Sequence, residues 1–320
     1  MKNIFENLCM MSQAKLKKHL AMELKKTHSD ITVADGFVFA KGNFPVLLLA
    51  HMDTVHKKLP NVIIYDEEND EMSSPNGIGG DDRCGIYMVL EVIKKFNCSV
   101  LFCEDEETGG IGAKKFIQTD LAKELEFNYA IEFDRKGSHD AVFYDCDNEK
   151  FEDFICEEFY DSSWGSFSDI SVVAPFLKCA AVNLSCGYYN AHTTQEYVRL
   201  KEMQTSIDEA CKILARTTEN DKFEYIEREY KSYRNYSGFG GYYGGYYGGY
   251  NYAQQSYYGG AYWDDGYDDT SYYIIEFVNE KGQQDWCDLY ATSKSEAVGK
   301  FLMRNPDMCY NDITDVMCDK

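Results

Sequence analysis

As far as about residue 217, the chain alternates short apolar runs with segments of helical hydrophobic spacing. Residues 46–50 form an apolar run that is too short for a helix and follows Pro45, so it predicts a buried strand. Helical spacing is typical of residues 1–28 and 84–95. The alternation predicts an α/β fold with a mixed, mostly parallel sheet sandwiched by helices. Further strands are predicted at 31–33, 37–40, 62–65, 99–103, 129–133 and 180–184, and further helices from 113, at 151–158 and at 197–217.

Histidine and acidic residues follow three of these predicted strands. His51 and Asp53 follow the strand at 46–50, and an acidic run at 104–107 follows another. Asp134 follows a third. Ligands bind at the carboxyl ends of strands in open α/β sheets, and four adjacent acids repel one another unless a cation lies among them. Each motif alone has a simpler reading, a surface pair or an acidic loop in water, but their coincidence predicts a metal site.

Two further loops carry candidate ligands. Asp81 and Asp82 lie between a glycine-rich turn and the start of the helix at 84–95. Simple capping of the helix dipole is the alternative role for these two carboxylates. His192 follows the strand at 180–184, and the alternative there is an ordinary loop histidine.

The chain is strongly acidic, with a formal net charge of -22 and a pI near 4.6. Such a charge is repelled by a phosphate backbone or an anionic membrane, so we expect neither nucleic acid nor membrane as a partner. The 12 cysteines are scattered and form no Cys-X-X-Cys pair. Without a secretory leader or an apolar run near 18 residues, the sequence predicts a cytoplasmic protein with reduced thiols.

Composition changes sharply near residue 230 and divides the chain into three parts. Residues 1–220 are the predicted α/β domain with the metal site, and residues 230–270 form a linker that repeats Tyr-Tyr-Gly-Gly. Residues 271–320 predict a small α+β unit with a ββαβ order. A passive tether is the favoured role for the linker. The alternative is that the Tyr/Gly-rich segment and the C-terminal unit mediate self-association or bind a protein partner.

Five motifs occur in the order found in the two-zinc exopeptidase clan. Over about residues 1–217 the chain resembles that clan, which includes leucine-type aminopeptidases, peptidase T and the carboxypeptidase G and deacylase relatives. The motifs are HMDTV at 51–55, GIGGDDRCG at 77–85, EDEETGGIGA at 104–113, EFDRKG at 132–137 and YYNAHTTQEYV at 188–198.

The resemblance implies a set of metal ligands. By it, His51 binds one Zn²⁺ and His192 binds the other, while Asp81 bridges both ions. Glu107 is then a ligand of one metal and Asp134 of the other. Imidazole nitrogen and carboxylate oxygen are ligand types that suit zinc, and Co²⁺ or Mn²⁺ could take its place.

The resemblance also implies catalytic roles beside the metals. Asp53 would orient His51, and Glu106 would be the general base that takes a proton from a water shared by the two ions. A cis peptide bond is implied between Asp81 and Asp82. Cys84 has no role in that chemistry and is expected to pack as a small apolar residue.

The leading hypothesis is a zinc-dependent aminopeptidase acting on peptides. A free α-amine would be received by spare carboxylates, for which Glu104, Asp105 and Asp82 are candidates, whereas Arg135 would favour an enzyme that reads a substrate carboxylate. The alternatives within the clan are a carboxypeptidase, a dipeptidase or an N-acyl amino acid deacylase. An alternative of another class is a non-catalytic structural or adaptor protein that assembles through its Tyr-rich tail.

Overall fold

The computed structural model describes residues 1–165, 167–228, 271–278, 284–291, 301 and 313–319. The chain separates into two compact units, residues 1–250 and 251–320. The predicted linker at 230–270 lies outside the described residues.

An eight-stranded sheet forms the centre of the first unit, in the order β1-β2-β6-β3-β7-β10-β8-β9. The four central strands β6, β3, β7 and β10 are parallel to one another. The pairs β1–β2, β2–β6 and β8–β10 are antiparallel, and β9 is parallel to β8. The prediction of a mixed, mostly parallel sheet is therefore confirmed. The strands are β1 (Asp30–Ala34), β2 (Phe37–Lys41), β3 (Phe44–His51), β6 (Cys98–Cys103), β7 (Tyr129–Arg135), β8 (Asp140–Val142), β9 (Asp161–Ser163) and β10 (Ala181–Ser185).

Helices cover both faces of this sheet. Val46, Leu48 and Ala50 of β3 point into one buried cluster, while Leu47 and Leu49 point into a second cluster on the opposite face. Burial on both faces explains why β3 reads as an unbroken apolar run. The helices are α1 (Lys2–Cys9), α2 (Gln13–Leu24), α3 (Gly80–Val92), α4 (Ile111–Ile117), α5 (Asp120–Lys123), α6 (Glu149–Ile155), α7 (Ile170–Leu177) and α8 (Leu200–Arg216).

A second, four-stranded sheet lies beside the candidate ligand loops. Its order is β11-β12-β5-β4. Here the structure corrects the prediction of one helix over 197–217, because its first three residues form β12 and pair with β5. The four strands are β4 (Ile64–Asp66), β5 (Glu71–Ser73), β11 (Tyr188–Tyr189) and β12 (Tyr197–Arg199).

The N-terminal segment is helical, as its hydrophobic spacing predicts. It contains two helices, since α1 ends at Cys9 and α2 begins at Gln13. Ser12 is the N-cap of α2, and its side chain accepts a hydrogen bond from the backbone N–H of Lys15. Ser12 therefore marks the beginning of the second helix, which the hydrophobic spacing alone does not indicate.

The first unit continues beyond the predicted boundary at residue 220. The Phe223 ring lies 5.1 Å from Phe151 and 6.0 Å from Tyr129, between ring centroids. The backbone of Phe223 also donates to the Asn128 carbonyl and accepts from the Ala180 N–H. Residues after α8 therefore belong to the packed body of this unit.

The described strands of the second unit form a three-stranded antiparallel sheet. Its central strand is β13 (Ser271–Val278), which is flanked by β14 (Gln284–Ala291) and β15 (Ile313–Asp319). Phe301 is helical and buried, and its ring lies 4.7 Å from that of Phe277. The rest of the helix predicted between the second and third strands lies outside the described residues.

No helix in the described part of the chain is both long and apolar enough to cross a membrane.

Candidate metal centre

The carboxyl ends of three parallel strands bring the predicted ligands to one edge of the sheet. His51 of β3 lies opposite Cys103 of β6, so the two strands end side by side and the segments that follow them begin at the same edge of the sheet. In β7, Glu132 lies opposite Leu49 of β3, which places Asp134 beside the end of β3. The parallel register is what joins segments that are far apart in the sequence.

All five predicted ligands meet in two groups of three. One group is His51, Asp81 and Asp134, and the other is Asp81, Glu107 and His192. Within each group the ligand atoms lie within 4.8 Å of one another. Asp81 belongs to both groups, as its predicted bridging position requires.

The Asp81 carboxylate divides its two oxygens between the two groups. Oδ1 lies 3.0 Å from Nε2 of His51, and Oδ2 lies 3.1 Å from Nε2 of His192. The remaining contacts have similar lengths, 3.4 Å from His51 to Asp134 and 3.2 Å from His192 to Glu107. One carboxylate therefore connects two imidazoles through separate atoms.

These side chains fit a pair of zinc ions. Two ligands at about 2.0–2.2 Å from one tetrahedral ion lie about 3.3–3.6 Å apart, close to the distances between the imidazole and carboxylate atoms here. Oε1 of Glu107 is buried and has no hydrogen-bond partner, a costly state for a carboxylate oxygen unless a cation binds it. The donor set of imidazole nitrogen and carboxylate oxygen is one that zinc accepts.

The charges at the two groups favour a cation. Hydrogen bonds to Asp81 and Glu107 raise the pKa of His192 to about 11. Burial lowers the pKa of His51, but the carboxylates of Asp134, Asp53 and Asp81 together outweigh burial, so the net shift is well upward. Burial raises the pKa of Glu107 to about 7 and also raises that of Asp134. Carboxylates outnumber imidazoles, and bound cations would remove the repulsion that these shifts reflect.

Asp53 holds both His51 and the loop after β6. Its Oδ1 accepts from Nδ1 of His51 at 3.1 Å, which fixes Nε2 as the nitrogen that faces the metal groups. The same carboxylate accepts from the backbone N–H groups of Glu106 and Glu107, each at 3.0 Å. The sequence predicted the contact with His51 but not the two backbone contacts.

The peptide bond between Asp81 and Asp82 is cis, as the resemblance implied. The Asp82 side chain is fully buried and belongs to neither group of three. Its oxygens accept from the backbone N–H of His51 at 3.1 Å and from that of Gly85 at 2.8 Å. A Cβ at Gly85 would lie 1.8 Å from the Phe133 carbonyl oxygen, so only glycine allows this close approach of α3 to β7.

A polar network that sequence reasoning missed surrounds Asp134. Ser168 donates to its Oδ2 at 3.1 Å, and the Tyr188 hydroxyl lies 3.3 Å from its Oδ1. Asn183 accepts from the backbone N–H of Asp134 and donates to its carbonyl oxygen. Only Tyr188 lies in one of the five motifs, so the motifs gave no signal for the other two.

Glu106 lies at the edge of the two groups and belongs to neither. Burial raises the pKa of its carboxyl well above the ordinary value, and the carboxylates of Asp134 and Asp169 add to the shift. Asp169, which the sequence did not single out, is buried beside the same loop. Its Oδ1 would lie 3.3 Å from a Cβ on Gly110, and burial raises its pKa to about 7.

The carboxylates predicted to receive a substrate amine are already engaged. Glu104 forms a salt bridge with Lys17 at 2.5 Å, and Asp105 accepts from the Gln13 side chain at 3.1 Å. Asp82 is buried in backbone contacts. The structure therefore corrects the prediction that these three are spare, because α2 and the start of α3 occupy them.

Arg135 is engaged as well. Its Nε and Nη2 both donate to Oδ2 of Asp140, at 3.0 and 2.9 Å. Among the described residues, the Arg135 guanidinium therefore pairs with a carboxylate from the same β7–β8 segment.

Arg83 is a fully buried residue that sequence reasoning also missed. Its guanidinium donates to the backbone carbonyls of Leu8, Met52 and Asp53 at 2.8–3.2 Å, and to that of Met11 at 3.3 Å. It therefore ties the connection between α1 and α2 to the segment that follows β3.

Comparisons with known proteins agree with this architecture. No family model and no curated protein matches the sequence. Among solved structures, aminopeptidase PepT from Bacillus cereus is 15% identical with a TM-score of 0.55, over 66% of this chain and 96% of that one. A tripeptidase from Staphylococcus aureus is 14% identical with a TM-score of 0.54, over 67% and 98%. An aminopeptidase from the archaeon Desulfurococcus kamchatkensis is 14% identical with a TM-score of 0.53, over 68% and 94%.

At these identities the likeness is one of fold. The first unit has the fold of these two aminopeptidases and the tripeptidase, and the fold that the resemblance implied is confirmed.

Proposed function

We propose that this chain is a zinc-dependent exopeptidase that removes N-terminal residues from peptides. The observation that carries the proposal is the position of Asp81, whose two oxygens contact His51 and His192 separately. His51, Asp81 and Asp134 would hold one Zn²⁺, and Asp81, Glu107 and His192 would hold the second. Co²⁺ or Mn²⁺ could occupy the same groups.

Two divalent ions held together lower the pKa of a water that they share and polarise a carbonyl group. Glu106 would take the proton of that water. It follows the end of β6, its backbone is fixed by Asp53, and its carboxyl is not part of either ligand group. Glu106 would then pass the proton to the amine that leaves when the peptide bond breaks.

The charge around the groups supports a substrate that brings a free α-amine. Carboxylates outnumber imidazoles in the two groups, and Glu106 adds a further carboxyl beside them. A substrate ammonium would complement that charge. A carboxypeptidase or a deacylase of amino acids needs a cationic side chain for the substrate carboxylate. Arg135, the residue proposed for that role, is paired with Asp140.

The test is a substrate panel with each metal in turn. Purified protein, stripped of metal and then loaded with zinc, cobalt or manganese, is assayed on aminoacyl amides and N-acyl amino acids. We expect hydrolysis of the aminoacyl amides and loss of activity when the free amine is acetylated. Faster turnover of N-acyl amino acids would instead favour a deacylase. Absence of turnover with every metal, in protein that binds two ions, would favour the non-catalytic adaptor.

A further inference from the structure

The buried carboxylate of Glu196 lies where the loops that carry the second ligand group meet. Its side chain is fully buried. Oε1 accepts a hydrogen bond from the backbone N–H of Asp81 at 2.9 Å, and Oε2 accepts from that of Gly79 at 2.7 Å. Nε2 of His56 lies 2.7 Å from the same Oε2. Three donors from two different loops therefore converge on one side chain.

Glu196 belongs to the loop that supplies His192, four positions earlier. That loop is closed by its own hydrogen bonds. The backbone N–H of Glu196 donates to the Thr193 carbonyl at 3.3 Å, and the Thr193 hydroxyl donates to the Asn190 carbonyl at 2.7 Å. Glu196 therefore joins the His192 loop to the turn that presents Asp81.

His56 holds that turn from the other side. A Cβ on Gly77 would lie 2.1 Å from Cε1 of His56, and Gly77 has a φ of 87°, so the ring lies directly against a turn that only glycine allows. With Gly79 and Asp81 bound to Glu196, the whole turn from Gly77 to Asp81 is fixed by one histidine and one glutamate.

The other ligand group depends on Glu196 only through Asp81, which the two groups share. His51 ends a central strand, and its ring is held by Asp53 while its backbone N–H is held by Asp82. Asp134 is held by Ser168 and Asn183. The two groups share Asp81, but only the group containing His192 has Glu196 as the link between its loops.

We infer that Glu196 is a positioning residue that assembles the second ligand group and so determines whether the protein binds two metal ions or one. The inference rests on the proposed function, since it takes the two groups to be metal sites. Glu196 acts through the backbone of Asp81 and the loop of His192 and touches no ligand atom. A second ion binds tightly only when Oδ2 of Asp81 and Nε2 of His192 are held at a distance that lets both contact the same ion.

Glu196→Gln is the variant that tests this. Glutamine keeps the size of the side chain but offers one acceptor oxygen, so either the Gly79 N–H or the Asp81 N–H then faces an amide N–H. Glu202→Gln is the matched control, because it removes the same charge from the same segment. The Glu202 carboxylate contacts Arg199 and Tyr189, away from both ligand groups.

Each protein is stripped of metal, checked for folding by thermal unfolding, and titrated with Zn²⁺ while the bound ions are counted by elemental analysis. We expect two ions in the wild-type protein and in Glu202→Gln. In Glu196→Gln we expect the weaker ion to lose about 10- to 100-fold in affinity, which leaves one ion at metal concentrations that saturate the wild type.

Two ions with unchanged affinity in Glu196→Gln would overturn the inference, and so would equal weakening of both ions. Fewer than two ions in the wild-type protein would instead contradict the proposed function itself. If Glu196→Gln does not fold, His56→Phe becomes the test. It removes one donor from Glu196 and leaves both backbone contacts, so we expect the same ion to weaken by about tenfold. Unchanged binding of both ions would then overturn the inference.

Discussion

The carboxylate of Asp53 accepts a hydrogen bond from the backbone N–H of Glu106 at 3.0 Å. The oxygen involved is the one that also contacts His51. A residue two positions after β3 therefore fixes the direction of a predicted ligand and the backbone of the predicted base together. Any change at Asp53 should disturb metal binding and catalysis at once.

Asp53→Asn tests this coupling. The amide has one acceptor oxygen for His51 Nδ1 and two backbone N–H groups, so at least one buried donor loses its partner. We expect zinc affinity to fall about 10- to 100-fold and kcat to fall even at saturating zinc. Asp66→Asn is the control, since that exposed carboxylate only accepts from the Glu68 and Asn69 turn. Normal kcat at saturating zinc would show that Asp53 does not position Glu106.

Glu106→Gln should separate metal binding from catalysis. Glu106 belongs to neither ligand group, so we expect two bound zinc ions and a loss of kcat of about 10²- to 10⁴-fold. Elemental analysis and kinetics on the same preparation check both outcomes. Glu126→Gln, at an exposed position, serves as the control. A missing ion in Glu106→Gln would mean that Glu106 is itself a ligand.

In the metal-free protein, the free energy of unfolding should fall as pH rises. Burial raises the pKa of Glu107 from 4.5 to about 7, so between those values the folded metal-free protein holds a proton that the unfolded chain has released. The raised pKa of His192, from 6.5 to about 11, has the same effect above pH 6.5. Both linkages lower the free energy of unfolding as pH increases.

We therefore expect the unfolding temperature of the metal-free protein to fall between pH 6 and pH 9. Zinc should flatten or reverse this fall in unfolding temperature. Bound ions replace the protons on Glu107 and His192, and zinc binds more tightly as pH rises because its ligands are then deprotonated. Thermal unfolding with and without zinc at each pH measures both. An unfolding temperature that rises over this range without metal would show that the two side chains do not titrate in this way.

Arg83→Met should destabilise the protein strongly. The guanidinium is 1% exposed and donates to four backbone carbonyls, which the variant would leave without a donor. At about 1–3 kcal/mol for each unsatisfied buried group, we expect a loss of at least about 3 kcal/mol in urea unfolding. Arg228→Met removes a more exposed ion pair with Asp147 and should cost less than about 1 kcal/mol.

Truncation should identify where the catalytic unit ends. A chain that ends at residue 228 keeps Phe223 and its backbone hydrogen bonds, and we expect it to fold and retain activity without the second unit. A chain that ends at residue 217 loses this packing and should be less stable by about 3–5 kcal/mol, the usual cost of removing a buried phenylalanine. Loss of activity in the longer fragment, with zinc still bound, would show that the tail contributes to the site.

Much of the site could be predicted because its chemistry follows the ends of buried strands. The apolar run before His51 and the run before Glu104 each indicated a strand, and parallel strands bring their carboxyl ends to one edge. The glycine-rich turn before Asp81 added a further segment. These local patterns were sufficient to predict the sheet and a metal site at its edge, whereas the assignment of the five ligands came from the resemblance to the two-zinc exopeptidases.

Residues that act through the backbone of other residues could not be found in this way. Arg83 and Glu196 both lie inside the motifs, yet a charged side chain gives no sign of being buried until the donors or acceptors around it are known. Asp82 and Glu104 were predicted to be free for the same reason, since Asp82 accepts from His51 and Glu104 pairs with Lys17, both in distant segments. Tyr197–Arg199 was predicted to be helical. The local sequence does not show that it pairs as a strand with β5, which lies more than a hundred residues earlier.

The spread of the ligands along the chain also has a consequence during biosynthesis. His51 lies in a central strand whose two neighbours, β6 and β7, are translated later, and His192 lies 141 positions further on. At about 5–20 residues per second, a ribosome takes roughly 7–28 s to travel between the two histidines. A nascent chain therefore contains His51 long before it contains all the ligands of the two groups that share Asp81. Products of premature termination before His192 hold at most one of the two ligand groups.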